Sequence, residues 1–261
     1  MLGTRWRILA TSKNWDGRVA AAELIARGAG FRNLRDRVVE LAEPQASHTV
    51  VDVGSGTGLL SLAFAERTKR VWAIDSSRAM GDYLRVKAAS AGLGNIETVF
   101  ASAVSLPLVD GIADVVVSNY CLHELRNAEK CRALEEARRV LKPGGRLVIG
   151  DMMFSLNPMR VRDRRVVAGK LRKIAARGLP GAWRLLKNGA RLLSGRWEYP
   201  ADAAWWKEAL KDAGFERIRL EMLPHEGGIA IAETPAATIA ETPAGEVSTP
   251  PSEARPSALR R

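Results

Sequence analysis

Residues Val50 to Ser61 constrain this chain more than any other stretch. Val-Val-Asp-Val is an apolar, strand-like run, Gly-Ser-Gly-Thr-Gly places a glycine at every second position, and Leu-Leu-Ser resumes as a helix. Such a strand, glycine turn and helix permit a sharp reversal and close approach of backbone to a ligand. The order here is GxGxG with Leu59 next, so the GxGxxG fingerprint that seats a pyrophosphate is missing. No Gly-Lys-Ser/Thr follows either, which excludes a phosphate loop of the nucleoside-triphosphate kind. A nucleoside ligand without phosphates remains. Asp75, at the end of the next apolar run Val71–Ile74, supports it, because a carboxylate there can accept both ribose hydroxyls.

Around this segment, apolar runs at 48–53, 71–74, 96–100, 113–118 and 146–149 alternate with helical stretches, the pattern of a parallel sheet covered on both faces. Ahead of them, 16–42 reads as helix broken near Gly28 and Gly30, with an apolar stripe at Phe31, Leu34, Val38 and Leu41. A helix over 128–141 ends in the turn Lys142-Pro143-Gly144-Gly145. A last helix, 203–213, is capped by Gly214, and 215–223 with 228–232 form an antiparallel pair that completes the sheet. From 234 onward the chain is rich in Pro, Ala, Thr and Glu with an imperfect octad repeat, too polar to offset its ordering entropy, so 234–261 reads as a disordered tail.

Several further residues then fall into place. Ala101-Ser-Ala-Val-Ser-Leu-Pro107 follows the third strand, Asn119-Tyr-Cys-Leu-His-Glu-Leu125 follows the fourth, and Leu141-Lys-Pro-Gly-Gly-Arg-Leu-Val-Ile-Gly150 contains the fifth. Together with Asp52–Gly58 and Asp75 these segments resemble the class I S-adenosylmethionine-dependent methyltransferases, most of all the type 11 group with the ubiquinone and menaquinone C-methyltransferases. The resemblance covers about residues 48–155 closely and 200–233 more loosely. It implies a Rossmann-like, doubly wound α/β fold with a seven-stranded sheet, mostly parallel with one antiparallel strand, and a helical lid insertion.

It also implies S-adenosylmethionine as cofactor, with Asp52, Gly54, Ser55, Gly56 and Gly58 around its methionine part. Asp75 and Ser76 would hold the ribose, Ser102 and Ala103 the adenine, and the Asn119 backbone the methionyl ammonium. Ser102 stands where the family commonly has an aspartate, and a neutral hydroxyl makes a weaker hydrogen bond than a carboxylate. The loop from Tyr120 to Glu124 would face the transferred methyl. His123 there is either a general base or a structural, substrate-shaping residue, since a sulfonium methyl needs a base only when the nucleophile must lose a proton. Cys121 reads as a small buried residue, and Asp151 as a partner for substrate or for a nearby cation. No Asn/Asp-Pro-Pro-Tyr motif marks an amino-group methylator of DNA adenine or protein glutamine.

Charge adds a separate clue. The 261 residues carry a net charge of +11, and from Arg160 to Arg196 twelve basic residues face one acid, Asp163, so this segment holds the whole excess. Val167, Leu171 and Ile174, then Trp183, Leu186, Ala190, Leu193 and Trp197, lie at helical spacing among those cations. The domain reading is therefore N-terminal helices (1–47), cofactor-binding core (48–155), basic amphipathic helical lid (156–199), closing helix and strands (200–233) and tail (234–261). The lid suits a small hydrophobic, lipid- or quinone-like acceptor, with peripheral contact to anionic membrane through 160–197. A solvated basic face, an RNA methyltransferase and a non-catalytic binding protein of the same fold are the competing readings. Two cysteines and three histidines without CxxC or HExxH spacing imply no metal site. With no apolar run of signal or membrane-spanning length, the expected location is cytoplasmic.

Overall fold

The glycine segment lies at the middle of the sheet. In the computed structural model, residues 15–154, 159, 161–175, 199–224 and 226–237 are described. Seven strands form one sheet: β1 (Thr49–Val53), β2 (Arg70–Asp75), β3 (Ile96–Phe100), β4 (Ala113–Asn119), β5 (Leu141–Met152), β6 (Glu216–Met222) and β7 (Gly227–Glu233). Their order is β3-β2-β1-β4-β5-β7-β6. β1 to β5 pair in parallel, and β7 runs against both β5 and β6. The expected seven-stranded sheet with a single reversed strand is present. Because the order turns back between β1 and β4, their carboxyl ends open a crevice, the place where α/β sheets bind ligands.

Among the described residues there are seven α-helices: α1 (Val19–Ala26), α2 (Ala29–Ala42), α3 (Leu59–Ala65), α4 (Arg78–Ser90), α5 (Asn127–Val140), α6 (Val161–Ala175) and α7 (Ala203–Asp212). β1 and β4 read as nearly unbroken valine because both of their faces are covered. Val50, Val117, Val148 and Ile229 pack with α2 and α3 on one face. Val51, Val116, Leu147 and Ala230 pack with α5 and α7 on the other. On α2 the fully buried stripe is Leu34, Val38, Val39 and Ala42, while Phe31 and Leu41 are half-buried at its edges.

Two expectations about the chain change. The turn at Lys142–Gly145 is a bulge inside β5, since Leu141 already pairs with Ala113 and Arg146 with Val115. Four residues therefore oppose one, and Gly144 takes φ +73° to accommodate them. That bulge is where the end of β7 docks. The Gly144 N–H donates to Pro235 O, the Thr234 N–H to Gly145 O, and the Thr234 hydroxyl to Lys142 O at 2.6 Å. Thr234 is buried, so the expected tail loses its first residues to the fold, and 238–261 lie outside the described residues. Of the basic insertion, 161–175 is α6, whereas 176–198, including the stripe from Trp183 to Trp197, lie outside the described residues, as do 1–14.

Thr234→Val keeps the shape and removes the hydroxyl, leaving Lys142 O without that donor. Urea unfolding should show a loss of about 1–3 kcal/mol with an unchanged slope.

Candidate functional site

Three left-handed glycines shape the crevice. Gly54, Gly56 and Gly58 have φ of +76°, +51° and +89°. At Gly54 a Cβ would sit 2.1 Å from Cys121 Sγ, and at Gly58 2.2 Å from Leu84 Cδ1, so backbone closeness as well as conformation requires glycine. Gly56 differs, since nothing lies within 4 Å of where its Cβ would be, and the loop is open there. The Gly54 and Ser55 N–H groups donate to Ile74 O, and the Gly56 N–H donates to Asp75 Oδ2 at 2.8 Å.

Asp75 ends β2 as expected, and its Oδ1 accepts from the Ser77 N–H at 2.8 Å. Burial raises its pKa, against the backbone bonds from Gly56, Ser77 and Ser76. The Ser76 side chain is exposed. Asp52 is deeper, accepts from the Ser61 hydroxyl at 2.5 Å, and burial, opposed by that bond and helped by Asp75, pushes it up to about 7. Four buried side-chain polar atoms among the described residues lack a hydrogen-bond partner: Ser55 Oγ on the glycine turn, Asn119 Oδ1 at the end of β4, and the indole nitrogens of Trp72 and Trp206. Asn119 Oδ1 lies 3.2 Å from the position of a Cβ on Gly150, which Val38 and Leu34 crowd as well. Native structures seldom leave buried polar atoms unpaired, and Ser55 and Asn119 stand at the two strand ends that bound the crevice.

Ser102 and Ala103 reach the same rim, because the Ala101 N–H donates to Asp75 O. The Ser102 hydroxyl accepts from the Val104 N–H at 3.4 Å, and Ser102 O accepts from the Ser105 N–H, so Ser102 mainly braces its own turn. Glu136 and Arg139 of α5 anchor that turn at the Leu106 N–H and carbonyl.

The loop after β4 forms the other wall. Tyr120 has φ +49°, its ring centroid lies 4.7 Å from that of Phe31, and it packs with Met152 and Phe154. Cys121 is pressed against Gly54, and burial together with the surrounding carboxylates holds its thiol protonated. His123 is 8% exposed. Its Nδ1 lies 2.6 Å from Asp151 Oδ1, its N–H donates to Asp151 Oδ2 at 2.9 Å, and Nε2 is 3.6 Å from Glu124 Oε1. Burial pulls its pKa down, but Asp151 and then Glu124 outweigh that and push it up to about 10. The paired carboxylates therefore favour the protonated form of the His123 ring. Asp151 meets the cation anticipated for it.

Two groups escape sequence reading. Asp16, near the start of the described chain, accepts from the Ser77 hydroxyl at 2.5 Å and from the Ala79 N–H, which places a third carboxylate beside Asp75. Lys130 on α5 is wholly buried, and burial lowers its pKa to about 8. Neither sits in a recognisable motif, and Lys130 looks like a surface lysine of an amphipathic helix. A cleft of about 600 Å³ between α1, α2 and α3 is lined by charged side chains of both signs and reaches Gly58 at the end of the glycine turn. Among the described residues no group of three or more His, Cys, Asp or Glu is arranged to hold a metal, and no helix is long and apolar enough to cross a membrane.

Comparison with known proteins agrees with this geometry. A methyltransferase-domain family model matches residues 50–145. The ubiquinone/menaquinone biosynthesis C-methyltransferase UbiE of Rubrivivax gelatinosus is 31% identical over 212 residues, covering 77% of this chain and 78% of that protein. The chain belongs to the class I S-adenosylmethionine-dependent methyltransferases. An uncharacterized methyltransferase of Geobacillus kaustophilus is 31% identical over 55% of this chain, and the match spans only 61% of that relative. The crystal structure of an S-adenosylmethionine-dependent methyltransferase from Aquifex aeolicus shares the fold, with TM-score 0.57, 20% identity, and coverage of 82% of this chain and 97% of that one. The cofactor of this methyltransferase family is S-adenosylmethionine.

Because the His123 pKa is raised from 6.5 to about 10, its contribution to stability is fully present below about pH 6.5 and is lost as pH rises through about 10. Ring-labelled NMR should find His123 still protonated at pH 8, and Asp151→Asn should move its titration downward by more than one unit.

Proposed function

We propose that this chain transfers a methyl group from S-adenosylmethionine to a small, hydrophobic acceptor of quinone or lipid type. The observation that carries the cofactor part is the pair of buried, unpartnered oxygens, Ser55 Oγ and Asn119 Oδ1, beside the Gly56–Asp75 hydrogen bond. In this reading Asp52, Gly54, Ser55, Gly56, Gly58 and Asn119 serve the methionine part, Asp75 and Ser76 the ribose, and Ser102 and Ala103 the adenine. When bound, the cofactor supplies a methyl already activated by its sulfonium. The protein's task is then alignment, which can contribute roughly 7–11 kcal/mol to lowering the barrier.

The acceptor part rests on the other wall. Phe31, Tyr120, Met152 and Phe154 form an apolar, largely aromatic cluster behind the loop after β4, and the relative named UbiE is a ubiquinone/menaquinone biosynthesis C-methyltransferase. His123, held between Asp151 and Glu124, serves here as a fixed cation able to stabilise negative charge on an acceptor, and not as a proton acceptor.

Membrane contact is supported by the outer face of α6. Val161, Arg164, Arg165, Ala168, Leu171 and Arg172 are all exposed at helical spacing, three arginines with two branched apolar side chains. An RNA-binding face gains nothing from exposed Val161 and Leu171, which favours a lipid surface over RNA.

Calorimetry should give a cofactor Kd that Asp75→Ala weakens by at least about a hundredfold, the loss of a charge-assisted pair of hydrogen bonds at roughly 3 kcal/mol. An unchanged Kd would overturn the ribose assignment. Incubation with a reduced quinone should yield S-adenosylhomocysteine; cofactor binding without turnover on quinone, lipid or RNA would favour the non-catalytic reading. Vesicles of phosphatidylglycerol should sediment the protein at low salt, and high salt or the triple change Arg164→Glu, Arg165→Glu, Arg172→Glu should release it. Retention on RNA but not on vesicles would shift the acceptor to RNA.

A further inference from the structure

Lys130 has no role in the reading above, yet its surroundings are unusually specific. Its ammonium donates to Leu125 O and to Tyr199 O, each at 2.6 Å, and to Asn127 Oδ1 at 3.4 Å. The Trp205 ring centroid lies 5.7 Å from Nζ. Among the described residues no carboxylate lies within ion-pair distance of it. An ammonium has three donors and here all three are engaged, two of them on main-chain carbonyls, one 5 residues and the other 69 residues from Lys130 in sequence. Burying a lysine is costly, and methionine or leucine would fill the same space. What the apolar side chains lack is the ability to satisfy both carbonyls at once.

Those carbonyls are well placed. Leu125 closes the 3-10 turn Leu122–Glu124 that carries His123. The Tyr199 N–H donates to His123 O at 2.7 Å, so the main chain of Tyr199 is held on one side by His123 and on the other by Lys130. Beyond it, Asp202 caps α7 by accepting from the Trp205 N–H, which fixes the direction in which the chain continues. Tyr199 opens the stretch that leads into α7. The loop after β4 and that stretch are thereby joined across the first turn of α5.

We infer that Lys130 is a positioning residue that stitches the His123 loop to the main chain at Tyr199, so that the crevice wall and the approach to α7 are set as one unit. Its bearing on methyl transfer rests on the acceptor-side reading of that loop; the stitch itself does not. The side chain touches no crevice atom in this arrangement and acts only through Leu125, Tyr199 and, by way of Tyr199, His123.

The test uses the full chain with S-adenosylmethionine present, and readouts that need no acceptor. In Lys130→Met, deuterium exchange of peptides covering 121–130 and 199–206 should speed at least about tenfold, the loss of one net hydrogen bond, while the central strands β1 and β4 exchange as before. The His123 ring resonances should move, the cofactor Kd should stay within about twofold, and Lys130→Arg should restore part of the protection. Unchanged exchange and an unmoved His123 signal, or acceleration spread evenly over the sheet, would reduce Lys130 to a core filler and overturn the inference. Should Lys130→Met not fold, Tyr199→Pro deletes the N–H bonded to His123 without touching Lys130. Against Tyr199→Ala it should show the same local acceleration and the same ring shift, and a match between the two Tyr199 variants would equally overturn the stitch. A chain that fails to bind cofactor at all would sink the functional reading while leaving these exchange results to be judged independently.

Discussion

The hydrogen bond from the Gly56 N–H to Asp75 ties the whole crevice together. It joins the glycine turn that follows β1 to the end of β2, in a turn where Gly54, Gly56 and Gly58 all adopt left-handed backbone. Once the turn is pulled toward β2, Cys121 can close against Gly54 and Leu84 against Gly58. The loop after β4 and helix α4 are therefore placed by contacts with bare backbone. A side chain at either glycine would push one of them away, so the turn sets the position of both walls.

Electrostatics divides the crevice into two halves. Around the glycine turn lie Asp52, Asp75 and Asp16, and burial, with a smaller part from the repulsion of the neighbouring carboxylates, keeps Asp52 and Asp75 above their ordinary range. A cation bound there would relieve that repulsion, and both the sulfonium and the ammonium of S-adenosylmethionine are cations. Across the crevice the pattern reverses. His123 is kept positive by Asp151 and Glu124, and Lys130 lies behind it among carbonyl oxygens. On the proposed reading, cofactor and acceptor would meet environments of opposite character, an arrangement that would favour a neutral or anionic acceptor over a cationic one.

Much of this was legible in residues 48–155. Asp52, the three glycines, Asp75 and Asn119 stand at strand ends, and strand ends can be read from apolar runs and the glycines that stop them. The reversed strand was legible from the two apolar runs flanking Pro224–Gly227. The bulge at Lys142–Gly145 was not, because a proline and two glycines read as a turn whether or not pairing has already begun at Leu141. Thr234 looked like the first residue of a polar repeat, and its burial depends on a carbonyl in that bulge. His123 left two roles open, since its protonation is decided by Asp151, 28 residues away in sequence and 2.6 Å away in space.

Taken alone, the sequence determined the layered α/β architecture, the cofactor turn and the confinement of net positive charge to 160–196. These follow from local properties, namely the period of apolar residues, the backbone freedom of glycine and the count of charges. Tertiary structure alone decided which polar groups are buried together: Asp16 with Asp75, His123 with Asp151, Lys130 with Tyr199. Titration and hydrogen bonding depend on solvent exclusion and on neighbours brought from distant parts of the chain. A residue's own position in sequence carries neither.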